Sequence, residues 1–177
     1  MLRSLFYSGP PLEVLHEQYA KNDRIDATAP VRAVTRVIVD TGPEVVWSVL
    51  ADPEGWSRID PAIGDVRLTA GVAVDAAFAW RNGKAAIASR FAVVVPGRQL
   101  TWTGLSFGAK AVHRHVLTPL EDGSTELMVA ESMAGPLLGL FMNGRKLQAA
   151  LDGWAAGIKR VAEARSRGPR LAPADPQ

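Results

Sequence analysis

A chain of 177 residues that is 47% hydrophobic and 21% charged has the balance of a folded domain rather than a disordered segment, and its length fits one core with short extensions. The formal charge is only +2 and the isoelectric point near 9.2, so the net field is weak and nucleic acid is not an expected partner. The absence of cysteine excludes disulfides, thiolate metal sites and cysteine nucleophiles, which leaves packing as the source of stability.

The first residues, MLRSLFYSGPPLEVLHEQ, reach a proline pair and then charge before an apolar run of about 7–15 residues can form, so no secretory signal is expected. No run of about 18 apolar residues occurs, and no transmembrane segment is expected either. The expectation is a bacterial-type cytoplasmic protein. Residues 1–30 read as an N-terminal extension: in PPLEVLHEQYAK, Leu12, Leu15 and Tyr19 recur at helical spacing, predicting one short amphipathic helix before the polar NDRIDATAP. It is expected to pack on the domain or on a partner, a second copy of the chain included. His16 lies in this extension and is expected at the surface.

Residues 32–40, RAVTRVIVD, are β-branched and alternate, which predicts a strand. In TGPEVVWSVLADPEGW, Thr41 and Pro43 mark a helix start, Val46, Trp47 and Leu50 form its apolar face, and Pro53 ends it, so short helices follow the strand. From Ile63 to Met133 the period changes to two, broken by turn residues such as Asn82–Gly83, Pro96–Gly97 and Asp122–Gly123. About six strands joined by hairpins are expected, with RNGK at 81–84 the clearest type I′ signal. After Gly135–Pro136, Leu140, Gly144, Leu147, Leu151, Trp154, Ile158 and Val161 alternate at spacings of three and four, predicting a long amphipathic helix. Gly139, Gly144, Gly153 and Gly157 within that stretch suggest close approach to the sheet or a bend over a pocket. The domain is expected to span residues 31–166, and the proline-rich end, residues 167–177, to be a disordered tail.

The predicted class is α+β: a curved antiparallel sheet of about seven strands wrapped around one long C-terminal helix, with two short helices after the first strand. Such a sheet and helix leave a cavity at one end that suits an apolar ligand. The segments PEVVWSVLADPEGWSRIDP, FAWRNG, QLTWTG, AVHRHVLTPLEDGSTELMVAES and GPLLGLFMNGRKLQAALDGWAAGIKR resemble the START-like helix-grip superfamily (SRPBCC), in its polyketide cyclase/dehydrase and lipid-transport branch. The resemblance spans about residues 32–165. It implies the helix-grip fold and a hydrophobic ligand; the superfamily includes binding proteins and aromatase/cyclases, so it does not choose between them.

Alternation assigns the faces. Val74, Ala76, Phe78 and Trp80 lie opposite Asp75 and Arg81; Ile87, Ser89, Phe91 and Val93 lie opposite Lys84 and Arg90; Leu100 and Trp102 lie opposite Thr101 and Thr103. The chain owns three histidines, two of them in AVHRHVLTP, where His113, His115 and Leu117 share a face. If Glu121–Asp122 form a type I turn with Gly123 as a left-handed bulge residue, Leu117 pairs with Leu127, His115 with Val129 and His113 with Glu131. A two-residue Asp122–Gly123 turn would shift the register by one and put Glu131 outside beside Arg114. The bulged register buries Leu127, Val129 and Met133 and is favoured.

His113, His115 and Glu131 then form a polar island facing Phe78, Trp80, Phe91 and Trp102, with Ser89 nearby and Leu147, Leu151 and Trp154 across the cavity on the helix. Three readings stand. The island satisfies itself and does no chemistry; it orients a bound hydrophobic or aromatic, lipid- or polyketide-like molecule, with His113 and Glu131 serving as acid and base in the catalytic variant; or the two histidines and the carboxylate hold a metal, the weakest reading because the His-x-His spacing is short. Carrier or sensor of such a ligand is the leading expectation, with no cofactor and no metal. A cofactor-independent polyketide cyclase/aromatase, with His113 as the stronger functional residue, is the alternative, and an interaction module acting through residues 1–30 is the third. Trp47 and Trp56 are weaker ligand candidates, Trp47 being placed in the core.

Overall fold

The computed structural model describes residues 7–168. Of the expected disordered tail at 167–177, Arg167 instead ends the last helix and Gly168 caps it, and residues 169–177 lie outside the described ones. Seven strands form one antiparallel sheet: β1 (Val31–Val39), β2 (Ile63–Leu68), β3 (Ala77–Asn82), β4 (Ala85–Val95), β5 (Gln99–Ser106), β6 (Ala109–Pro119) and β7 (Thr125–Ala134). Their order, β1-β7-β6-β5-β4-β3-β2, is a six-strand meander whose last strand pairs with the first. Between β1 and β2 lie α1 (Pro43–Leu50) and a 3-10 turn (Pro53–Arg58); after β7 come a short helix, α2 (Leu138–Phe141), and the long α3 (Gly144–Arg167). This is the α+β helix-grip architecture.

α3 exists because its apolar stripe has a sheet to cover. Leu147, Leu151, Trp154, Ile158 and Val161 are buried on one side, Asn143 caps the first turn by accepting from the Lys146 amide at 3.0 Å, and Arg165 and Arg167 occupy the last turn. The helix runs along β1 and against α1. The core between them and the concave sheet face holds Val46, Leu50, Trp56, Leu100, Leu127 and Val129. Trp47 is half-buried and packs against this core. Of the helix glycines, Gly157 makes the close approach: a Cβ there would sit 2.5 Å from the Ile59 carbonyl oxygen and 2.8 Å from its Cγ2. The contact is with the segment after the 3-10 turn, not with the sheet, and Gly153 has open space around it.

The β6–β7 hairpin takes the bulged register. The Gly123 amide donates to the Leu120 carbonyl at 3.1 Å, the Leu120 amide donates to Ser124 at 2.9 Å, and Gly123 has φ +82°. His113 pairs with Glu131, His115 with Val129 and Leu117 with Leu127. Two local expectations are corrected. The β3–β4 loop is Gly83–Lys84, since Asn82 already pairs with Ala85 and Gly83 supplies the positive φ. A bulge between Phe91 and Val93 also inverts the alternation in β4, so Val94 rather than Val93 packs on the core.

The N-terminal segment covers the convex face as a third layer. Residues 12–22 wind as an α turn (Leu12–Val14), a π turn (Leu15–Tyr19) and a 3-10 turn (Ala20–Asn22) rather than as one regular helix. Leu15 and Ala20 bury against Ala92 and Val112, the outward residues of β4 and β6. Asp26 fastens the end: its carboxylate accepts from the Thr28 amide and hydroxyl at 2.8 and 2.6 Å, and its amide donates to Ser132 on β7 at 3.0 Å. His16 is not at the surface as expected but fully buried. It bridges the Thr103 hydroxyl on the outer face of β5 (Nδ1, 2.9 Å) and the carboxylate of Asp75 in the loop before β3 (Nε2, 2.9 Å).

Candidate functional site

A cavity of about 920 Å³ lies between the concave sheet face and α3, within the range of about 300–1,000 Å³ usual for small-molecule sites. Period-two alternation sends Trp80, Ser89, Trp102, His113 and Glu131 into it from β3 to β7, and the α3 stripe sends Leu147, Leu151 and Trp154. Those eight of the sequence-derived residues line one space. Phe78, Phe91 and His115 do not reach it. Phe78 and Phe91 face inward but are sealed in the core, stacked on each other at 4.3 Å and edge-on to Trp102, because period two gives the face of a residue and not its depth. His115 is fully buried one layer behind His113.

The floor is an aromatic nest centred on Trp56, a residue that sequence reasoning set low. Trp56 stacks on Trp102 at 5.1 Å and meets Trp80 and Trp154 edge-on at 5.9 and 5.6 Å. Its signal is poor because it sits in a 3-10 turn where no periodicity marks a face. Three indole N–H groups are fixed by bonds: Trp56 donates to the Leu50 carbonyl at 3.1 Å, Trp80 to Ser89 Oγ at 3.1 Å and Trp154 to His115 Nε2 at 2.8 Å. The nest is therefore held in shape before any ligand arrives. The mouth residues Phe107, at the β5–β6 turn, and Phe141, in α2, also escaped sequence reasoning; both are exposed.

The polar island sits on the wall. His113 Nδ1 lies 2.8 Å from Glu131 Oε2, and the two side chains are 13% and 14% exposed, open to the cavity but largely withdrawn from solvent. The His113 ring stacks on Trp102 with 4.6 Å between centroids and 7° between planes. His113 Nε2 lies 3.2 Å from His115 Nε2, and His115 Nδ1 lies 3.3 Å from the Leu100 carbonyl oxygen. Burial, with the neighbouring His113 adding to it, holds His115 well below the ordinary histidine value, so His115 is neutral. Because Trp154 and Leu100 occupy both of its nitrogens, His115 has none free for a metal, and the two-histidine, one-carboxylate triad does not form in this geometry.

A second histidine cluster lies on the opposite face. His16, Glu17 and Asp75 bring ligand atoms within 4.8 Å of one another, but the Lys21 ammonium stands among them, 2.9 Å from both Asp75 and Glu17. A protein cation already compensates these carboxylates. Burial also lowers the His16 value, opposed by its bond to Asp75.

Chemically, the cavity can hold a flat apolar molecule against tryptophan faces and offer it one carboxyl–imidazole pair. The fold is similar to that of several solved structures. Hypothetical protein jhp0584 from Helicobacter pylori has a TM-score of 0.67 at 16% identity, covering 80% of this chain and 91% of that one. The Zhui aromatase/cyclase from Streptomyces sp. R1128 has a TM-score of 0.62 at 16% identity, covering 77% and 96%. DynU16, a putative protein of the dynemicin biosynthetic locus, has a TM-score of 0.61 at 18% identity, covering 76% of this chain and 48% of its own. No curated protein sequence matches the chain. Residues 30–163 match the family described as polyketide cyclase / dehydrase and lipid transport, and the chain belongs to that family.

Proposed function

We propose that the protein binds a hydrophobic aromatic molecule, lipid- or polyketide-like, in the cavity between sheet and α3, and acts as its carrier or sensor. The observation that carries this reading is the space of about 920 Å³ walled mainly by apolar side chains, Trp80, Trp102 and Trp154 among them, with the His113–Glu131 pair on its wall. Apolar burial against such walls is worth about 25 cal/mol per Å² removed from water, so a flat ligand gains most of its affinity there. The island supplies orientation. Native mass spectrometry of the protein purified from its host tests the reading: a copurified aromatic molecule released on denaturation is the expected result. Failure to retain or bind any aromatic molecule, in the purified or reconstituted protein, contradicts it.

A second reading is favoured by the 2.8 Å bond between His113 and Glu131 at the cavity wall. In a cofactor-independent cyclase/aromatase, this pair would take an α-proton from a folded poly-β-ketone and return one to an oxygen. Family membership is compatible with both readings. Turnover of a polyketide that disappears in Glu131→Gln while binding persists would favour the enzyme; binding without turnover favours the carrier.

A further inference from the structure

The proton positions in the island follow from groups that can only donate or only accept. The Trp154 indole only donates, so its 2.8 Å bond makes His115 Nε2 an acceptor. The Leu100 carbonyl only accepts, so the 3.3 Å contact places the His115 proton on Nδ1. His113 Nε2 lies 3.2 Å from that same accepting nitrogen. The single lone pair on that nitrogen is already engaged by Trp154, so a bare His113 Nε2 would set a second lone pair against it, whereas a proton on His113 Nε2 shares the same acceptor in a three-centre contact. His113 Nε2 is therefore assigned the proton. Nδ1 of His113 is engaged with Glu131 Oε2 at 2.8 Å, and stacking on Trp102 keeps the ring in this plane. Both nitrogens of His113 are thus occupied by protein partners.

Within the island, what remains for a ligand is the other carboxyl oxygen. Glu131 lines the cavity, and no side-chain or backbone donor among the described residues bonds Oε1. Oε1 is also not a buried atom lacking a partner; the one such atom among the described residues is Arg114 Nε. With His113 Nε2 protonated, the Nδ1···Oε2 bond holds one proton. If that proton sits on nitrogen, Oε1 belongs to a carboxylate; if it sits on Oε2, Oε1 is a carbonyl oxygen. In both states Oε1 accepts.

We propose that Glu131, through Oε1, is the group that meets the ligand, that His113 is a positioning residue acting through it, and that the ligand is an aromatic molecule donating a phenolic or enolic hydroxyl to Oε1. This rests on the reading that the cavity binds aromatic molecules. It moves the functional atom from His113, which the sequence favoured, to Glu131. It also disfavours ligands that would present an anion at this wall.

Three probes of one shape test it in the full-length protein: naphthalene, 2-naphthol and 2-naphthoate, titrated by tryptophan fluorescence. The expected result is that all compete for one site, with 2-naphthol binding roughly tenfold or more tighter than naphthalene, the worth of a hydrogen bond to a charged or strongly polarised group, and 2-naphthoate more weakly. In Glu131→Ala, the ratio of 2-naphthol to naphthalene affinity is expected to fall to about one. In His113→Leu the hydroxyl preference shrinks, and in His113→Gln, whose amide can still donate to Oε2, part of it returns. Nitrogen NMR of His113 in the wild-type protein gives a readout independent of variant folding: a proton on Nε2 is expected, and a bare Nε2 overturns the argument. Equal affinity for naphthalene and 2-naphthol, or a preference that survives Glu131→Ala, also overturns it. If naphthalene itself does not bind, the cavity reading fails and takes this inference with it.

Discussion

Gly157 and Gly153 stand on one helix yet are expected to respond oppositely to alanine. Alanine is preferred over glycine in a helix interior by about 1 kcal/mol. At Gly153 nothing lies in the way, so Gly153→Ala is expected to stabilise by roughly that amount. At Gly157 the new methyl meets the Ile59 carbonyl at 2.5 Å, and Arg160 holds that carbonyl by a 3.1 Å bond. Overpacking of about 1–3 kcal/mol outweighs the helix gain, and Gly157→Ala is expected to lower the urea midpoint. A rise in both variants would mean that α3 does not press on residue 59. Trp154→Phe is expected to destabilise by about 1 kcal/mol, because it removes the shorter of the two donors to the buried His115 Nε2 and leaves only His113. An unchanged midpoint would remove that bond from the account. At this scale the sequence was legible where spacing speaks, as for Trp80, Trp102 and Leu151. It was opaque where depth decides: Phe78 and Phe91 share the inward face and still miss the cavity. Trp56, the centre of the nest, lies where no repeat marks it.

Among elements, the β6–β7 hairpin was readable because its chemistry is local. Gly123 takes the left-handed conformation that the bulged turn needs, and that one residue sets the register that brings His113 to Glu131. Placement of the N-terminal segment was not readable in the same way, since His16 finds Thr103 across 87 residues of chain and its burial is decided by an outer sheet face that only the folded meander presents. That segment carries a pH prediction. His16 and His115 both sit below the ordinary histidine value of 6.5 in the folded protein, chiefly through burial. As pH falls below about 6.5 the unfolded chain takes up protons first, so stability declines; above it both groups are neutral in either state and the dependence vanishes. Urea midpoints measured at pH 7.5 and pH 5 are expected to fall, and the fall to shrink in His16→Gln. A midpoint that rises on acidification would contradict the burial of both histidines.

At the scale of the whole molecule, three layers share one sheet: the N-terminal segment on the convex face, the strands, and α1 with α3 on the concave one. The convex layer is closed by Leu15, Ala20 and Asp26, whereas the concave layer leaves about 920 Å³ unfilled. Close packing elsewhere makes that space the feature most in need of a role, since interiors otherwise leave few voids larger than a water molecule. The resemblance to the helix-grip superfamily anticipated the architecture, and the family match over residues 30–163 bears it out. Ligand choice lies in the few side chains lining one fold, which the architecture alone does not determine.

The central claim is that this cavity takes up an aromatic molecule, and a filled cavity tests it most directly. Ala111 lines the space from β6 beside the island, so Ala111→Phe should occupy it while its melting temperature confirms the fold. Calorimetric titration with naphthalene is expected to show one saturable site per chain in the wild type and a loss of at least tenfold in affinity in Ala111→Phe. No saturable site in the wild type, or an affinity unchanged by the filling side chain, would contradict the account.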